Sequence, residues 1–149
     1  MLKYTLVPQS FFVKDNENMI LSELVQLDKE DKVEYKELPD FKAVLVYAHT
    51  DGAIPEVYSL LERASSIKDY NKVLAYHSNG YIHIVIAVGK KLLLCNSFEA
   101  SDIVTAEYFI FASVKKFQIN PEVSTIYIKG GDSQFKSELF RYFKGVESL

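Results

Sequence analysis

Few side chains in this sequence combine reactive chemistry with a spacing that brings them together. The histidines are His49, His77 and His83, and Cys95 is the single cysteine. A transition-metal site needs three or four such ligands converging on one point. His77 and His83 flank Asn79-Gly80, a pair that favours a tight hairpin because both turn residues must take φ > 0. In that hairpin Ser78 pairs with Tyr81, His77 with Ile82 and Tyr76 with His83. Paired residues share a face, so the two histidines point to opposite sides and cannot share a metal. Each reads as a hydrogen-bonded structural histidine. Cys95 ends the run Lys-Leu-Leu-Leu-Cys and reads as an inert core thiol. Glu107 reads as a solvated helix residue and Asp132 as a helix cap. Tyr108, Phe109 and Phe111 offer π faces for stacking, but in so apolar a helix they read as core or as a contact between lobes. No catalytic residue and no metal set is predicted.

The elements that hold these residues can be read around residues 73–98. Asn79-Gly80 and Gly89-Lys90 divide this stretch into a three-strand meander. Two-residue loops at both turns place Val73, Ala75, His77, Ile82, Ile84, Ile86, Leu93 and Cys95 on one face. Leu74, Tyr76, His83, Val85, Ala87, Leu92, Leu94 and Asn96 fall on the other. Both faces are apolar, so both must be covered, and a mixed sheet with helices on both faces is expected.

Upstream, residues 3–7 form a strand stopped by Pro8, and Asp15-Asn16 opens a helix. A short strand at 33–36 and a strand at 41–48 follow. A helix then starts at Pro55 and ends near Asp69 or Tyr70. Downstream, Ser101-Asp102 caps a helix running to Phe117, which Asn120-Pro121 stops. A strand over 124–129 ends at Gly130-Gly131, and Asp132-Ser133 caps a last helix that Gly145 terminates. The second half is therefore β-β-β-α-β-α. Its Ile126 strand should lie parallel to the Val73 strand after a right-handed crossover. The division falls at about residue 70, with a partial α/β lobe over 1–70 and a second lobe over 71–149. The chain stops where a further strand would be expected, and a lobe lacking that last strand exposes a sheet edge.

The 149 residues carry 17 basic and 20 acidic side chains, a formal net charge of −3. No element carries a basic cluster, so no nucleic-acid partner is expected. One cysteine makes no disulfide framework. No apolar run approaches the ~20 residues of a membrane span, and no signal segment is evident. The expectation is a cytoplasmic protein without membrane insertion.

Residues 126–133, Ile-Tyr-Ile-Lys-Gly-Gly-Asp-Ser, resemble the adenosine motif of the actin-like ATPase superfamily. The order β-β-β-α-β-α is similar to the ribonuclease-H-like lobe duplicated in that superfamily. Tyr-Thr-Leu-Val-Pro at 4–8 with Phe11-Phe12, the run at 91–98, and Pro121-Glu122 resemble a family of uncharacterised bacterial proteins with this fold, over most of the chain. The resemblance implies a nucleotide site built from Gly130, Gly131 and Ser133 on the adenosine side and Asn79 and Gly80 at the second-lobe phosphate turn.

It also implies losses. Active members carry an Asp two residues before the Gly of that turn, whereas this turn reads Ser78-Asn79-Gly80. The first-lobe phosphate hairpin has no counterpart in the sequence. Ala75-Tyr76-His77 leaves no acid on the strand where a ribonuclease-H-type nuclease needs a metal ligand. Two functions follow. The favoured one is a non-catalytic binding or scaffold module, with an unknown protein partner or a second copy of itself and no cofactor. The alternative is an ATP- and Mg²⁺-binding protein using the Gly-Gly turn.

Overall fold

The computed structural model describes residues 2–149. The strands are β1 (Tyr4–Pro8), β2 (Lys32–Leu38), β3 (Ala43–His49), β4 (Asn71–Ser78), β5 (Tyr81–Val88), β6 (Lys91–Glu99), β7 (Thr125–Lys129) and β8 (Gly145–Ser148). The helices are α1 (Glu17–Ser22), α2 (Val57–Ala64), α3 (Ile103–Lys116) and α4 (Ser133–Phe140). They form a three-stranded sheet of order β1-β3-β2 and a five-stranded mixed sheet of order β6-β5-β4-β7-β8.

The larger sheet starts from the turn that the sequence marks most clearly. Asn79 and Gly80 take φ of 51° and 80°, and the pairs Tyr76↔His83 and Ser78↔Tyr81 follow. β7 lies parallel to β4, with Val73 opposite Ile126, as the crossover through α3 requires. Asp102 opens α3 by accepting from the Thr105 amide at 2.7 Å, and Asp132 opens α4 by accepting from that of Phe135 at 2.8 Å.

Three expectations are corrected. First, β6 carries a bulge. Ala87 pairs with Leu92 but Ile86 pairs with Leu94, which leaves Leu93 as the extra residue. Leu94 therefore joins the Ile84 face, Cys95 leaves it, and Ser97 rather than Asn96 stands opposite His83. Three consecutive leucines suit either face, so the sequence pattern cannot fix the slip. Second, α2 stops at Ala64. The Ser65 and Ser66 hydroxyls donate back to the Glu62 and Arg63 carbonyls at 2.8 Å each, competing with continued helix. Third, Gly145 opens a strand rather than ending a helix. β8 pairs parallel with β7, Val146 opposite Ile126. A Cβ at Gly145 would lie 3.0 Å from Thr125 Oγ1, so a larger residue there would have to push the Thr125 side chain aside.

Layering follows from the buried side chains. α3 and α4 cover one face of the large sheet, where Ile84, Ile110, Ile126, Phe135 and Leu139 form one cluster. The opposite face meets α2 and the small sheet. Val57, Leu60 and Leu61 of α2 share a cluster with Leu45 and Tyr47 of β3 and with Leu74 and Val85 of the large sheet. α1 covers the outer side of the small sheet through Leu21, packed on Val44 and Val46. Helices thus lie on both faces of the mixed sheet, and one apolar layer joins it to the smaller one.

Candidate functional site

The C-terminal ends of β3 and β4 meet at a cavity of about 510 Å³. Asp28, Asp31, Asp51 and Glu56 line it, with Lys3, His49, Asn79 and His83. Lys3 is already committed. Its Nζ lies 3.1 Å from Asp28 Oδ2 and also bonds Asp31. The hydrogen bond to Asp31 is the main force raising the Lys3 pKa, and the same bond lowers that of Asp31. Asn79 points Nδ2 at Glu56 Oε1, 3.3 Å away. His49 accepts the Gly52 amide on Nδ1 at 2.8 Å and meets Glu34 through Nε2 at 2.8 Å.

A polar chain runs from this cavity into the gap between the sheets. His83 Nε2 is 2.7 Å from Glu56 Oε2, at ion-pair distance but out of line for a hydrogen bond. Nδ1 is 2.6 Å from Ser97 Oγ, which is 2.7 Å from the Tyr4 hydroxyl. A lone pair on Nε2 would face the Glu56 carboxylate, so charge favours the ring proton on Nε2 even without an aligned hydrogen bond. Nδ1 then accepts from Ser97, whose oxygen accepts from Tyr4. Burial lowers the His83 pKa and outweighs the opposing pull of Glu56. Burial likewise raises the Tyr4 pKa.

Glu, His and Ser in line have the makings of an activated nucleophile. One Ser97 lone pair meets the Tyr4 hydroxyl, however, and Ser97 is not among the residues lining the cavity. The arrangement ties β1 of the small sheet to β5 and β6 of the large one. Sequence reasoning missed this chain, because Ser97 reaches His83 only through the bulge at Leu93.

The residues expected at a nucleotide site follow the C-terminal ends of the parallel strands β4 and β7. Asn79 lines the cavity, while Gly130, Gly131 and Ser133 are not part of its lining. Gly131 has φ of 79°, and a Cβ there would lie 3.3 Å from the Phe135 ring and 3.4 Å from Ile128. Its close neighbours are the protein's own core. A Cβ on Gly130 would lie 3.6 Å from the Tyr76 ring. Lys129 donates to Ser59 Oγ at 2.9 Å, with its ammonium 4.9 Å from the centre of that ring. Ser133 is exposed at the first turn of α4.

Of the other chemical candidates, His77 meets the Ala100 carbonyl at 2.7 Å, on the face opposite His83. Burial pushes the Cys95 thiol up to about 12, which keeps it protonated and unreactive. Glu107 is not fully solvated. One of its oxygens is buried without a hydrogen-bond partner among the described residues, and burial, then Glu138, raise its pKa. Phe109 stacks on Phe98 at 4.6 Å and Phe111 meets Tyr142 edge-on at 4.8 Å, whereas Tyr108 is 60% exposed. Among the described residues no three His, Cys, Asp or Glu side chains are grouped to hold a metal ion, and no helix is long and apolar enough to cross a membrane.

A family model described as a protein of unknown function, DUF3822, matches residues 2–53 and 53–146. No curated protein matches. A crystal structure from Bacteroides thetaiotaomicron, of a protein with actin-like ATPase fold and unknown function, superposes with a TM-score of 0.76 at 18% identity. The match covers 99% of this chain and 65% of that one. The PilM-PilN type IV pilus biogenesis complex superposes with a TM-score of 0.53 at 14% identity, over 100% of this chain and 66% of the matched one. These likenesses show the fold, and the chain spans about two thirds of each protein's length.

Proposed function

This chain belongs to the DUF3822 family, whose function is unknown, and we propose that it acts as a non-catalytic binding module on an actin-like ATPase fold. One observation carries the reading. Among the described residues, the cavity beside the second-lobe turn is lined by four carboxylates and one lysine ammonium that two of them already hold. A Mg-triphosphate needs preorganised donors and a carboxylate free to orient the metal's water shell. Here Glu56 is drawn to His83 and Asn79, and the excess negative charge repels phosphate. The PilM-PilN neighbour is itself a complex of two proteins, which supports a polypeptide as the partner. Its identity, a second copy included, and a cytoplasmic location belong to this proposal.

The alternative, an ATP-binding protein using Gly130, Gly131 and Ser133 with Asn79 and Gly80, has one point in its favour. These residues sit beyond the carboxyl ends of parallel strands, where open α/β sheets bind ligands. Melting the protein with and without millimolar Mg-ATP separates the two. A ligand at 100 times its dissociation constant stabilises a fold by about 2.7 kcal/mol. No shift in Tm is expected, and a clear upward shift would overturn the binding-module reading.

A further inference from the structure

A second cavity, of about 1170 Å³, lies between the two sheets. Its walls are strand edges. β1 is the outer strand of the small sheet and β6 the outer strand of the large one. Residues 5–8 and 91–95 line the cavity without a gap. Successive residues of a strand point to opposite faces except at the Leu93 bulge, where Leu93 and Leu94 share one, and a cavity that touches residues of both faces is bounded by the strand's edge. The groove is wedge-shaped. The strands are tied at one end by the 2.7 Å contact between Tyr4 and Ser97, and Pro8, Lys90 and Lys91 frame the other.

We propose that this groove takes an extended acidic segment of a partner protein, which adds as a strand to the free edge of β6. The inference rests on the binding-module reading and gives it a site. An unpaired edge presents a row of backbone donors and acceptors that a strand can satisfy, while pockets for alternate side chains supply selectivity. β6 is the better template of the two edges. It has nine residues, whereas β1 has five and ends in Pro8, which lacks an N–H.

Charge names the occupant. Among the described residues, Lys42, Lys90 and Lys91 line the groove against Asp40 alone, on a chain whose formal net charge is −3. The positive stretch therefore belongs to the groove and not to the protein at large, and it complements a segment carrying Asp or Glu. Leu6, Phe41 and Leu92 give the apolar floor for the alternate residues.

The test uses short fluorescent peptides of alternating Glu and Val, and of alternating Lys and Val, on the whole chain. The acidic peptide should bind and the basic one should not. Lys90→Glu with Lys91→Glu, two outward-facing changes, should weaken the acidic peptide at least about tenfold and leave Tm unchanged. Amide exchange should slow at residues 91–95 when the peptide is present. No binding of the acidic peptide at millimolar concentration would overturn the proposal. So would binding that ignores the double reversal, or protection that falls elsewhere. Protection of the same amides by raising protein concentration alone would assign the edge to a second copy and overturn the partner segment. A failure of any of these kinds with no Mg-ATP shift removes the groove and leaves the binding-module reading standing. A Mg-ATP shift removes that reading whatever the peptides do.

Discussion

His83 is the residue whose surroundings dictate the clearest response to pH. It is 2% exposed, and burial holds its pKa below the usual value of 6.5. Below pH ~6.5 the unfolded chain takes up a proton that the folded chain refuses, so folding is opposed increasingly as the pH falls. Stability should be level from neutral pH to about 6.5 and decline below it, and His83→Gln should flatten this part of the profile. Urea midpoints across that range would show it, and an unchanged slope in the variant would place the titration elsewhere. The face of His83 and its pairing with Tyr76 were legible, because Asn79-Gly80 admits one hairpin geometry. Its bond to Ser97 was not. That contact depends on one unpaired leucine in a run where every neighbour is equally apolar.

Elements were legible in proportion to how much their side chains discriminate. β4 and β5 have turn residues at one end and apolar residues on both faces, and α3 has a cap and a stop. β8 has four residues with a single buried-type side chain, Val146, and no periodicity that short is readable. Its presence corrects the expectation of a missing last strand, because β8 pairs with β7 and covers the edge expected to stand open. The pairing of α3 with the meander can be tested directly. Ile84 on β5 and Ile110 on α3 are fully buried in one cluster. Either replaced by Ala should cost roughly 2–5 kcal/mol in chemical denaturation, since it leaves a cavity that the sheet and helix cannot close. A loss within about 0.5 kcal/mol would mean that the two elements are not packed as described.

At the scale of the molecule, the apolar layer around α2 governs behaviour. Leu60 and Leu61 touch a cluster drawn from both sheets, so neither sheet can open that side without exposing the other. Unfolding should therefore be one transition. Near-UV circular dichroism from the tyrosines and amide exchange in β3 and β5 should give coincident midpoints, in the wild type and in Leu61→Ala alike. Separate midpoints would show two independent units. The strands before residue 70 form the small sheet and those after it the large one, and their order along the chain was legible. That α2 lies against both sheets was not, because a helix's amphipathic face says that it is covered and not by what.

The tie between Tyr4 and Ser97 also bears on the order of events in time. The two residues are 93 positions apart, whereas β4, β5 and β6 are joined by tight turns. Chain entropy makes distant closures later than near ones. The meander should then be assembled at the rate-limiting step, with β1 arriving after it. Tyr4→Phe would consequently hasten unfolding and leave the refolding rate unaltered in stopped-flow measurements. A slower refolding limb would place β1 in the nucleus instead. The wedge between the strands would, on this ordering, be the last part of the molecule to close and the first to open.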